Sequence, residues 1–99
     1  MRTPKEISAQ IATLKKIKPL VPAKSVVGDD NHGAIEAQIE VLKTNMSEDD
    51  IFTRADDGIT PSHKLWTDYV RDIAMDARQW LDGNSFSPPS TDWEPIIKK

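Results

Sequence analysis

The sequence predicts an all-α fold: a small bundle of three main helices plus one short helix, with an extended C-terminal tail packed on it. Two observations carry that expectation. Apolar residues recur at helical spacing behind capping residues in several separate stretches, and no second candidate strand exists for any extended segment to pair with. With 99 residues, 37% of them hydrophobic, the chain can bury one small core. The expected division is a helical bundle over residues 1–83 and a strap over residues 84–99.

The first helix, expected over residues 4–18, opens on Thr3-Pro4-Lys5-Glu6. Threonine is placed as the cap, proline takes the first helical position, where its missing N–H is harmless, and glutamate can complete a capping box. Ile7, Ile11 and Leu14 form its apolar stripe, and Lys18-Pro19 ends it because the residue before proline avoids the helical region. Residues 19–29 hold two prolines and a glycine, so they read as a connecting loop with Val26 or Val27 buried.

A second helix is expected over residues 32–45, capped by Asp30 or Asn31 and ended by Asn45 in the left-handed conformation. Its face is Ile35, Ile39, Leu42 and Met46, widened by Ala34, Ala37 and Val41. Ser47 then opens a short helix over 48–55, with Glu48, Asp49 and Asp50 at the positive end of its dipole. Asp56-Asp57-Gly58 is a turn, and Thr60-Pro61 or Ser62 starts the longest helix, expected over 61–82 and stopped by Gly83. Leu65, Trp66, Tyr69, Val70, Ile73, Ala74, Ala77, Trp80 and Leu81 make its apolar set, which places Trp66 and Trp80 on one face. Three prolines exclude one continuous helix through the tail. Phe86, Trp93, Ile96 and Ile97 would be costly to leave in water, at roughly 1.5 to 3 kcal/mol each, so the tail is expected to strap across the bundle.

Charge is distributed unevenly. Residues 1–24 carry six bases against one acid, net +5, residues 25–58 carry two bases against nine acids, net −7, and the remainder is −1. The total of −3 argues against bulk attraction to nucleic acid or anionic lipid. Cysteine is absent, which excludes disulfides, thiolate metal sites and cysteine nucleophiles. No apolar run approaches the roughly 18 to 20 residues of a membrane span, and the N-terminal stretch lacks a secretory leader, so a cytoplasmic protein is expected.

Catalytic chemistry finds few candidates. His32 and His63 are the two histidines, neither in a zinc or calcium spacing, so no metal and no cofactor is expected. Asp68, Asp72 and Asp76 stand four apart on one side of the long helix, with Lys64, Arg71 and Arg78 nearby, which reads as a solvated salt-bridge face. The four glycines are too scattered to form a phosphate loop. The chain is expected not to be an enzyme.

The segments Asn31–Leu42 (NHGAIEAQIEVL) and Ala74–Gly83 (AMDARQWLDG), followed by Pro88–Trp93 (PPSTDW), resemble a group of small hypothetical accessory proteins of bacteriophages and prophages. An AI-x-AQI-x-VL helix, an A-x-x-A-x-x-WL-x-G helix and a Pro-Ser…Trp tail carry the resemblance over roughly half the chain. It implies a phage-accessory context, in which antagonists of host defences, anti-CRISPR proteins among them, are common. The function expected on these grounds is binding and inhibition of a host defence protein through an acidic and aromatic surface made by Asp49, Asp50, Asp56, Asp57 and Trp66. The alternative is an oligomeric sink for a nucleotide-type signal, held by Lys15, Lys16, Lys18 and Lys24 with aromatic stacking. A homo-oligomer is expected in either case.

Overall fold

The computed structural model describes residues 1–56 and 66–98, the side chains of residues 54–56 excepted. It is an all-α bundle, built from α1 (Pro4–Ile17), α2 (Asn31–Thr44), α3 (Glu48–Asp56), α4 (Asp68–Leu81) and α5 (Glu94–Ile97). Single 3-10 segments stand at Lys18–Leu20 and Pro89–Trp93. The pairing of α2 with α4 forms the largest interface; α1 lies against α2 and the tail, and α3 against α4. No helix among the described residues is long and apolar enough to cross a membrane.

The capping logic holds at the first three helix starts. Thr3 and Glu6 close a reciprocal capping box, which satisfies donors that the first helical turn leaves without intrahelical partners. Asp30 caps α2 by accepting from the Gly33 amide at 2.9 Å. A Cβ at Gly33 would lie 2.2 Å from the same carboxylate, so glycine is what lets this cap close. Asn45 ends α2 with φ 54°, and the Ser47 hydroxyl accepts from the Asp50 amide at 3.1 Å.

In the loop between α1 and α2, Val26 and Val27 are exposed and Val21 is the buried valine, at 2% exposure. The expectation for Val26 or Val27 therefore fails, and local hydrogen bonding explains why. Ser25 donates to the Asp29 carbonyl (2.8 Å) and Gly28 to the Ser25 carbonyl (2.9 Å), with Gly28 at φ +92°. This tight turn, closed by one isolated bridge between Lys24 and Asp30, puts both valines at an outward tip. Val21 instead follows directly on the 3-10 turn, and its carbonyl lies 2.7 Å from His32 Nε2. Val21→Ala should therefore cost roughly 1.5 to 3 kcal/mol in urea unfolding, whereas Val26→Ala should stay within about 0.5 kcal/mol. The reverse order would place the wrong valine in the core.

The long helix begins later than its sequence suggests. Thr67, in extended conformation, caps α4 by accepting from the Val70 amide, while Thr60, Pro61 and Ser62 lie outside the described residues. Trp66 precedes the cap, so it does not share a helix face with Trp80. The tail is docked but coiled rather than extended: a proline stands in the first turn of both the 3-10 segment and α5, where its fixed φ favours a helical start. Trp93 is 1% exposed, Ile96 and Ile97 are half-buried, and Phe86 is left in solvent at 95%. Ile73, expected in the core, is also only half-buried. At the opposite end of the chain, the Arg2 guanidinium donates to the carbonyls of Trp80 (3.0 Å) and Ser85 (2.6 Å) and lies over the Trp80 ring. The start of the chain is thereby tied to the end of α4.

Candidate functional site

The acidic edge expected from the sequence is built at the start of α3. Helix α3 buries Ile51 completely and turns Glu48, Asp49 and Asp50 to solvent. Their place in its first turn is where the helix dipole favours negative charge. Glu48 accepts from the Gln79 side chain at 3.0 Å. Among the described residues, the carboxylates of Asp49 and Asp50 have no ion pair. One turn further on, Phe52 is 47% exposed, with the Arg71 guanidinium 5.8 Å from its ring centre. Arg71 is itself held by Asp68 (3.3 Å) and Asp72 (3.2 Å).

Of the other residues expected in this surface, the Asp56 side chain and Asp57 lie outside the described residues. Trp66 is half-buried, in the wall of a cleft of about 570 Å³ that it shares with Ala37, Ile39 and Val70. The aromatic member of the acidic edge is therefore Phe52 and not Trp66. Its signal in the sequence is its place directly after Ile51: one position on is about 100° around the helix axis, so in a short helix that buries Ile51 the next residue falls toward the flank.

The basic set does not converge. Lys15 and Lys16 are exposed on the last turn of α1, where the dipole favours cations. Lys18 is paired with Glu36 at 2.7 Å, and Lys24 is exposed in the bridge of the loop. None of the four lines the 570 Å³ cleft or the smaller cleft beside the tail.

That smaller cleft, about 300 Å³, has Asp76 and Asp92 in its wall, with Gln79, Asn84 and Ser87 beside them. Here the expected salt-bridge face breaks up. Asp68 and Asp72 pair with Arg71 as anticipated, but Asp76 shares this cleft wall with Asp92 of the tail, close enough for the two carboxyls to perturb each other. Arg78 turns inward and is 6% exposed. It donates to the carbonyls of Asn45 (3.3 Å) and Met46 (3.0 Å) and to the Asn45 side chain (2.8 Å), and it pairs with Asp82.

Between the clefts sits Gln38, fully buried. Its carbonyl accepts from the Trp93 indole at 2.8 Å, and its amide donates to Asp92 at 2.8 Å and to the Pro89 carbonyl at 3.4 Å. Neither Gln38 nor Arg78 is expected in the core from the sequence, although each lies inside an apolar stripe. Gln38 stands three after Ile35 and four before Leu42; Arg78 stands four after Ala74 and three before Leu81. A polar residue in such a stripe must find buried partners.

Burial, then the neighbouring Asp76 charge, push the Asp92 carboxyl up to about 7. Asp76 is raised as well, by burial and by Asp72. Among the described residues, no group of three or more histidine, aspartate or glutamate side chains could hold a metal ion. No protein-family model, no curated protein and no solved structure matches the chain.

Proposed function

We propose that this chain is a non-enzymatic binding protein that docks on a basic surface of a partner protein through Asp49, Asp50 and Phe52. The observation that carries this reading is that Asp49 and Asp50 have no ion pair among the described residues and stand beside a half-exposed phenylalanine. Clustered like charge is unfavourable for the free protein and becomes favourable against a base-rich surface, while a partly exposed aromatic ring supplies the apolar anchor that interfaces favour. The resemblance to phage accessory proteins supplies the partner class, a host protein of the defence machinery, which docking would block.

The test compares the parent protein with the Asp49→Lys/Asp50→Lys double variant and with Phe52→Ala. Each is immobilised in a host lysate, and the captured protein is then purified and titrated against all three by calorimetry. Charge reversal should weaken binding at least tenfold, about 1.4 kcal/mol, with the helical circular dichroism unchanged. Raising salt should weaken the parent complex too, because exposed charges are screened over about 8 Å at physiological ionic strength. Equal binding by the parent and the double variant at low salt would reduce the acidic edge to a solubility device and end the proposal.

A further inference from the structure

The tail could have been held by Trp93 and its apolar neighbours alone, yet it also brings an acid up to an acid of α4. Asp92 reaches the bundle beside Trp93, receives one hydrogen bond from buried Gln38, and stands with Asp76 of α4 in the wall of the 300 Å³ cleft, near enough for each carboxyl to act on the other. Two ionised carboxylates in hydrogen-bond contact repel, whereas one proton between them turns the contact into an attraction. No base among the described residues acts on either carboxyl. Among the described residues, α4 adds only Asp72 and Tyr69 to their surroundings. On the α2 side the neighbour is the neutral Gln38, and on the α1 side it is the neutral Gln10, which accepts from the Ser90 amide.

We propose that the C-terminal strap is fastened to the bundle by a proton held between Asp76 and Asp92, and that it loosens as this proton is lost on going from mildly acid to neutral pH. With the strap open, the Trp93 indole leaves Gln38 and the apolar surface beneath it meets water, so the fold carries a pH-dependent conformational device at its tail.

The direction follows from proton linkage. A carboxyl raised to about 7 in the docked state and near 3.9 when released binds its proton more tightly when docked. The stabilisation is full below about pH 4 and is lost as pH rises through about 7. Across that window the opening constant of the strap should rise by up to about tenfold per pH unit, then level off. Asp82 acts oppositely: hydrogen bonding to Arg78 holds its carboxyl below the ordinary range, and its contribution is lost toward acid.

The experiment follows the Trp93 indole N–H by NMR, together with the melting temperature, from pH 4.5 to 7.5 in the parent and in Asp76→Asn. An asparagine there donates to Asp92 without needing a proton. In the parent the indole signal should move from its hydrogen-bonded position and the melting temperature should fall as pH rises; in Asp76→Asn both should stay nearly constant. The same pH response in both proteins, or none in the parent, would overturn the proposal. If Asp76→Asn does not fold, carboxyl-carbon titration of the parent decides. One of the two aspartates should then titrate near neutrality, and two ordinary values near 4 would refute the shared proton.

Discussion

Trp93→Ala should be among the most destabilising single substitutions in the chain, costing about 3 to 5 kcal/mol. The indole is 1% exposed, so its removal opens a large cavity where the tail meets α1 and α2. It also strips the fully buried Gln38 carbonyl of its 2.8 Å donor, and an unsatisfied buried acceptor adds about 1 to 3 kcal/mol of its own. Against a total stability of about 5 to 15 kcal/mol, such a loss would leave the domain marginal. Denaturant unfolding followed by circular dichroism measures it. Trp93→Phe separates the two causes, since it keeps most of the ring volume and loses the N–H donor. A cost below about 1 kcal/mol for Trp93→Ala would mean that the tail does not contribute to the core.

Arg78→Met should be nearly as damaging, at roughly 3 kcal/mol. The arginine closes the C-terminal end of α2, whose last carbonyls have no partner within their own helix. Its guanidinium serves the carbonyls of the cap Asn45 and of Met46 just beyond it, together with the Asn45 side chain. Methionine replaces the stem but no donor, and each stranded acceptor costs about 1 to 3 kcal/mol. Asp82→Asn should cost less, because Asp82 is exposed and an exposed partner adds about 1 kcal/mol or less. Thermal melts of the two variants rank them, and equal losses would show that the ion pair, not the capping of α2, is what Arg78 supplies.

Local signals in the sequence were faithful wherever the chemistry was local. The Thr3-Pro4-Lys5-Glu6 box, the Asp30 cap, the left-handed Asn45 and the Ser47 start all depend on residues three or four apart. The failures have one common cause, that distant contacts choose among locally equivalent options. Val21 and Val26 are equally apolar, and only the turn closed by Ser25, Gly28 and Asp29 decides which faces inward. Arg78 reads locally as a partner for Asp82 or Asp76, and it is buried because α2 ends beside it. Asp76 and Asp92 are 16 positions apart in sequence, and nothing local brings them together. The acidic edge was legible in Asp49 and Asp50, while its aromatic member was sought in Trp66 and lies in Phe52.

The bond between Trp93 and Gln38 spans 55 positions and that between Arg2 and Ser85 spans 83. Closing such long loops costs entropy that grows slowly with the chain enclosed, so the expected order is that the helices pair first and the strap docks on them. The tail is thus the last part to arrive and the first to leave. On that order, weakening its interactions should change how fast the molecule falls apart far more than how fast it assembles, which folding and unfolding rates of Trp93→Phe measure. The expected consequence is that the strap sets how long a single folded molecule persists, while the pairing of α2 with α4 sets how quickly a new one forms.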